Sequence, residues 1–437
     1  MATNAVFAAK GTRDLLPEAM HRRLAVIQTL RSVYAMFGFE PLETPAMERI
    51  ETLTGKYGEE GNQLIFKILE RGEGGREGKA DLALRYDLTV PLARVVAMNP
   101  ALPLPFKRYQ IQPVWRADRP AKGRFREFYQ CDGDIVGSTS LLCDAECIAM
   151  AHMALEKLGF KDFVVHINHR ALLTAIVAAA GVPERETEVL VAIDKLDKIG
   201  VAGVTKELSE RGIAADVVDR LWAILASPAD LDAVFAAVGQ QAHAAVADLH
   251  ALFAHLRSLG ATRVVFDATL ARGLGYYTGA VYEVKLTGVD GQGAGVGTVA
   301  AGGRYDGLIG MFSGRKVPAV GISIGLERIL TVMEERGMLA GKGTPVRALV
   351  TLFSAETVAA SLELAAGMRA AGVAVEVWLG EPGSLGKQFR YADQRGIPYA
   401  LVLGPDEVAA GNVAVKKLAT GDQHVIARNG VAERIRP

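Results

Sequence analysis

The chain has 437 residues, half of them hydrophobic and 22% charged, which suits two or three globular domains with sizeable cores. Lysine plus arginine and aspartate plus glutamate number 49 each, so the overall charge singles out no nucleic acid, membrane or acidic partner; only local patches can do that. Three cysteines without a CxxC spacing (Cys131, Cys143 and Cys147), no leader pattern and no apolar run approaching ~18 residues argue against a disulfide framework, export or membrane insertion, and the expected address is cytoplasmic.

The spacing predicts a helix from His21 to Phe37 and then alternating strands to about Phe163. LALRYDLTVP places Arg85, Asp87 and Thr89 on one parity, where a carboxylate and a hydroxyl suit an ammonium group. YQIQPVWR likewise aligns Gln110, Gln112 and Arg116, and ADRPAKGR, with its proline and glycine, reads as a hairpin loop. In the returning run RFREFYQCDGD, the even positions are Arg124, Arg126, Phe128, Gln130, Asp132 and Asp134. Cations, a flat aromatic, an amide and two carboxylates make a poor core and a plausible binding floor. From Phe106 to Gln130 there are seven basic residues against two acidic ones. A solvated basic surface would explain that balance, but it has no need of Phe128 and Gln130 among the arginines. Cys143 and Cys147, one helical turn apart, are expected in a core. HINH (His166 to His169) has no evident third ligand, so no metal site is expected there.

From Leu172 to Leu259 the chain is rich in Ala and Leu at helical spacing, broken by AAAGVPE and ASPAD. ARGLGYYTG then sets Arg272 before a glycine turn and two tyrosines. If Tyr276 and Tyr277 lie in a strand, only one of them faces a ligand. GLGYYTG and GMLAGK match neither the Rossmann loop nor the P-loop, so a nucleotide would be held by arginine side chains. AVGISI reads as a strand and GLERILTVMEER as an amphipathic helix with Leu326, Ile329, Leu330 and Met333 as its stripe. Arg328 falls in its first turn, where a guanidinium joins exposed backbone N–H groups and suits phosphate. GMLAGKGTPV reads as a linker. Beyond it, strands alternate with helices as in a small α/β domain with a parallel sheet, and NVAVKKL and HVIARN could add edge strands. The expected organisation is a catalytic domain in two parts, 1–171 and 260–336, interrupted by a helical insertion, 172–259, then a linker, 337–346, and a final domain, 347–437.

With these residues in view, the chain resembles the histidyl-tRNA synthetases, a class II aminoacyl-tRNA synthetase family, over nearly its full length. GFEPLETPAME looks like motif 1, VWRADRPAKGRFREFYQCDGDIVG like motif 2 and AVGISIGLERIL like motif 3, while LARGLGYYTG and AGGRYDGL resemble the two histidine signatures. The resemblance implies an α+β catalytic domain, with an antiparallel sheet flanked by helices, carrying a helical insertion and a C-terminal α/β anticodon-binding domain. It implies ATP-dependent formation of histidyl-adenylate and transfer of histidine to tRNA(His), with Mg²⁺ carried by ATP and no dedicated protein metal site. Arg116, Arg124 and Arg328 would hold ATP, with Phe128 on the adenine. Asp87, Thr89, Gln130, Asp134, Tyr276, Tyr277 and Tyr305 would bind histidine. Arg272 would contact the histidine carboxylate and the α-phosphate, and Arg116 would flank the same phosphate. Pro45 would lie near a homodimer interface. The first signature departs from the family's common GLDYY at Gly275, which removes a carboxylate. The competing readings are a catalytically silent paralogue, such as the regulatory subunit of ATP phosphoribosyltransferase, and a non-catalytic RNA-binding module. The first lacks the anticodon domain and erodes the arginine set; the second does not need the acidic side of the site.

Overall fold

The computed structural model describes residues 6–436 except 57, 122, 272–275, 289–296 and 340–343, and for 58–60 the backbone only. The chain divides into two compact units, Met1–Asp14 with Val26–Met338, and Leu15–Ala25 with Leu339–Pro437.

In chain order the strands of the first unit are β1 (Glu40–Pro41), β2 (Met47–Arg49), β3 (Lys67–Leu69), β4 (Ala80–Leu84), β5 (Phe106–Trp115), β6 (Glu127–Val136), β7 (Phe163–His169), β8 (Val264–Phe266), β9 (Ala280–Leu286), β10 (Thr298–Arg304) and β11 (Ala319–Gly325). Eight of them form one sheet in the order β1-β5-β6-β11-β10-β9-β7-β8, and β2-β4-β3 form a small one. From β5 to β7 every pairing in the large sheet is antiparallel, and only β1 and β8 join in parallel at its edges.

The alternation along β5 and β6 decides which face is core. Gln110 lies opposite Asp132 and Gln112 opposite Gln130, while Ile111 faces Cys131 across the ladder. The odd positions of β6 meet apolar side chains. The Tyr34 hydroxyl donates to the Cys131 carbonyl at 2.8 Å, and the Tyr34 ring stacks on Tyr109 at 5.1 Å. A β-carbon added at Gly133 would come within 2.6 Å of Met150 Cε, so glycine lets the methionine of the Leu141–Lys157 helix lie directly against this strand. Ser140 caps that helix, accepting from the Leu142 N–H, and all three cysteines are buried. Arg304, at the end of β10, ties the segment down through Asp144 and the carbonyls of Ser138 and Ser140.

Two strand-parity readings are corrected. β4 ends at Leu84, and Thr89 opens a helix, Thr89–Met98, whose Val90 N–H is accepted by Asp87 at 3.0 Å. Arg85 therefore does not share a face with Asp87 and Thr89. It is fully buried and donates to the carbonyls of Pro113, Thr44 and Pro45 and to Gln112 Oε1. Likewise β6 starts at Glu127, so Arg124 and Arg126 belong to the preceding loop. Arg126 points away from the floor. Its backbone N–H donates to the Gly11 carbonyl and its Nε to the Asp118 carbonyl.

Between β7 and β8 lie the helices of the inserted segment, from Arg170–Ala180 to His243–Ser258. His169 caps the first of them, accepting from the Ala171 N–H, and Gly181 ends it at φ 99°. In the second unit, β12 (Ala348–Val350), β13 (Val375–Val377), β14 (Tyr399–Val402), β15 (Asn412–Lys417) and β16 (Gln423–Ala427) form a sheet in the order β13-β12-β14-β15-β16. β12, β13 and β14 are parallel, as the alternating pattern predicts. NVAVKKL and HVIARN do add strands, and both run antiparallel.

Candidate active site

The even face of β6, continued by β11, β10 and β9, floors a cleft of about 1450 Å³. At one end Asp87, Thr89, Gln130, Asp132, Asp134, Tyr276, Tyr277 and Tyr305 line it. At the other end Arg116, Arg124, Phe128 and Arg328 do so. Carboxylates and arginines thus share one cavity, brought there from segments far apart in sequence.

The acidic end is built around Asp134. Tyr305 donates its hydroxyl to Asp134 Oδ1 at 2.5 Å, and Arg108, with no exposed surface, lies 3.0 Å from Oδ2. Gly321 of β11 stands opposite Asp134, and a β-carbon there would fall 1.9 Å from Asp134 Oδ1, so only glycine leaves room for the carboxylate. Asp132, next on the same face, is opposite Ser323. Burial pushes the Asp132 carboxyl up to about 7; Arg108 opposes the rise and the Asp134 charge adds to it. Asp134 is also raised by burial, against the pull of Arg108 and the Tyr305 hydrogen bond. Burial likewise holds the Tyr305 hydroxyl well above the ordinary phenol range, so it stays a proton donor.

The two tyrosines of the first signature precede β9 rather than lying in it, so the one-faces-in, one-faces-out expectation does not hold: both line the cleft. Their ring centroids are 4.9 Å apart, and Tyr276 meets Tyr305 edge-on at 6.1 Å. The four residues just before them, including Arg272 and Gly275, lie outside the described residues.

At the basic end, Arg116 donates through Nε to the Tyr86 carbonyl at 3.0 Å. Its guanidinium carbon sits 4.2 Å from the Tyr86 ring centroid and 5.2 Å from that of Phe128. Arg124, half exposed, pairs with Asp118 at 2.8 Å. Arg328, in the first turn of the helix Leu326–Glu335, donates to the Thr298 carbonyl. Pro45 is exposed at its own surface, with its carbonyl accepting from Arg85 at 3.1 Å.

Residues given no role by the sequence also shape this cavity: Asp132 and Gly321 line it, and Arg108 lies buried behind Asp134. Asp132 carried the right parity but no role. Arg108 and Gly321 gave no local signal, because their importance lies in what the neighbouring strands bring against them. His166 pairs with Asp267 at 2.9 Å, and the described residues contain no group of three or more His, Cys, Asp or Glu side chains placed to hold a metal ion. No described helix is long and apolar enough to cross a membrane.

An antiparallel sheet whose polar face sets an acidic pocket beside an arginine-lined cavity, joined to a second unit with its own mixed sheet, defines a class: the class II aminoacyl-tRNA synthetases. Comparison with known proteins narrows this. A family model for histidyl-tRNA synthetase matches residues 11–329, and one for an anticodon binding domain matches residues 347–437. A histidine–tRNA ligase of Gloeobacter violaceus is 45% identical over 95% of both chains. The crystal structure of histidyl-tRNA synthetase from Nostoc sp. PCC 7120 superposes with a TM-score of 0.85 at 34% identity over 99% of both chains. A Bacillus halodurans structure, described as an ATP phosphoribosyltransferase regulatory subunit/histidyl-tRNA synthetase, gives 0.74 at 25% identity over 89% of this chain and 97% of that one. The chain belongs to the histidyl-tRNA synthetase family.

Proposed function

We propose that this chain is a histidine–tRNA ligase: it activates L-histidine with ATP to histidyl-adenylate and pyrophosphate, then transfers histidine to the 3′ end of tRNA(His). The observation that carries this reading is the shared cleft, with its carboxylate end and its arginine end on one rigid floor. Two anions, the histidine carboxylate and the α-phosphate, must approach each other in the first step. Positioning and charge neutralisation therefore outweigh acid–base chemistry. Arg116 and Arg272 flank the α-phosphate and Arg328 clamps the nucleotide, with Phe128 against adenine and Arg124 contributing from the loop. Asp87, Thr89 and Gln130 receive the ammonium group. Asp134, Tyr276, Tyr277 and Tyr305 face the imidazole, and a floor that hydrogen-bonds both ring nitrogens rejects analogues lacking them by roughly 10⁴-fold. Arg116, Arg124 and Arg328 would hold the nucleotide's phosphates, and a Mg²⁺ ion arriving with ATP would need no protein cage of its own. When present, that ion neutralises developing phosphate charge.

The unit after the linker would read the anticodon, and a homodimer formed around the exposed Pro45 segment would complete the assembly. Buried cysteines outside any disulfide suit a reducing cytoplasm. The regulatory-subunit alternative is less supported, because relatives named histidine–tRNA ligase match 95% or more of this chain, its final unit included. The deciding experiment is histidine-dependent ATP–pyrophosphate exchange, followed by charging of tRNA(His). A chain that exchanges nothing with histidine is not a ligase.

A further inference from the structure

Asp132 is one of several buried polar groups around Arg108 and Asp134 with a hydrogen bond unmade. It is 2% exposed and lies on β6 between Gln130 and Asp134, on the floor of the cleft. Asp134 has Tyr305 on one oxygen and Arg108 beside the other. Among the described residues, Asp132 Oδ1 finds no hydrogen-bond donor, and neither does Gln130 Oε1 on the same face; Asp134 Oδ2 also lacks a hydrogen bond but has the Arg108 charge beside it. Buried acceptors left without donors are costly, and two of them side by side at a ligand cleft call for a ligand rich in N–H donors. The charge count points the same way. Asp87, Asp132 and Asp134 all line this cleft, and among the described residues Arg108 is the cation acting on Asp132 and Asp134.

We propose that Asp132 is a direct contact of the substrate's ammonium group, sharing it with Gln130 through their two unpartnered oxygens. This rests on the amino-acid-activating reading of the cleft and adds to it a residue and a proton. The groups facing Asp132 are Arg108 from β5, Asp134 from its own strand, Asp87 from the segment before the Thr89 helix, Ser323 from β11 and, through the sheet, the Tyr34 hydroxyl. Burial raises the carboxyl to about 7, against the pull of Arg108, so near neutral pH the empty site holds a proton on Asp132 far more readily than an exposed carboxyl would. An ammonium group needs the ionised form as its acceptor. Binding therefore expels that proton to solvent, while the ligand keeps its own three.

The test uses the full-length protein and two ligands: histidinol, which has the ammonium group and no carboxylate, and imidazolepropionate, which has the carboxylate and no ammonium group. Asp132→Asn is expected to weaken histidinol by about 30-fold or more, the size of losing one charge-assisted hydrogen bond. Imidazolepropionate should stay within about threefold. Calorimetry at pH 7 in two buffers of different ionisation enthalpy should show wild type releasing more protons per histidinol bound than the variant. Equal weakening of both ligands, unchanged histidinol affinity, or equal proton counts would each overturn the assignment. If Asp132→Asn fails to fold, Asp132→Ser replaces it under the same criteria. Wild type that shows no histidine-dependent exchange sinks the ligase reading itself. Exchange-competent wild type with an Asn variant that binds histidinol normally sinks only the role of Asp132.

Discussion

Replacing Arg108 by methionine isolates what holds the acidic end together. The guanidinium has no exposed surface and lies 3.0 Å from Asp134 Oδ2, with Nη2 also donating to the Leu88 carbonyl at 3.2 Å. At that separation the Coulomb attraction is roughly 5 kcal/mol for an effective dielectric of about 20. Breaking a buried pair from one side typically costs about 3–5 kcal/mol, since the remaining charge stays desolvated. The variant should lose stability of that order at pH 8. The pH dependence follows from the direction of the shift. Asp134 in the native protein is already raised by burial, so its folded form holds a proton more tightly than its unfolded form, and stability falls as pH rises between the two. Without Arg108 the folded value climbs further and the penalty grows with pH, vanishing where the carboxyl is protonated in both states. Urea unfolding at pH 5 and pH 8 measures this, and Arg108→Met/Asp134→Asn should recover much of the loss. A penalty below about 1 kcal/mol at pH 8, or one equal at both pH values, would refute the reasoning.

Gly321→Ala places a methyl group where Asp134 Oδ1 now sits, so the KM for histidine in pyrophosphate exchange should rise more than about tenfold, with the KM for ATP changing far less. Tyr305→Phe removes the donor on Asp134, and histidine affinity should fall by roughly 1.5–3 kcal/mol, read by calorimetry. Arg272→Ala and Arg328→Ala should each lower exchange by at least about 10²-fold, the loss typical of removing one such electrostatic group; near-wild-type exchange would contradict either role. Removing the final unit, 345–437, should spare exchange and weaken tRNA charging, measured side by side on one preparation.

The local chemistry of this protein is written in its sequence. Alternation alone put Gln130, Asp132 and Asp134 on one face of β6 with Phe128, because a strand has only two faces and a polar one cannot be core. The helix placing Arg328 in its first turn followed from its apolar stripe, and the strand–helix alternation of the last hundred residues followed from period and breakers. Parity failed where strands ended earlier than their apolar pattern. Arg85 was drawn to the backbone carbonyls of Thr44, Pro45 and Pro113, remote in the chain, and Arg126 to those of the distant N-terminal segment and of its own loop. Tyr276 and Tyr277 likewise escaped the two-face rule by sitting in a turn.

Only the tertiary structure decided that Arg108 faces Asp134, that Gly321 clears the space for that carboxylate, and that Asp132 keeps an oxygen without a donor. These facts depend on cross-strand register and burial, which long-range packing sets and local periodicity does not encode. The sequence determined which side chains could build a floor for an amino acid and a nucleotide; the sheet decided which of their charges are already answered and which still need a ligand.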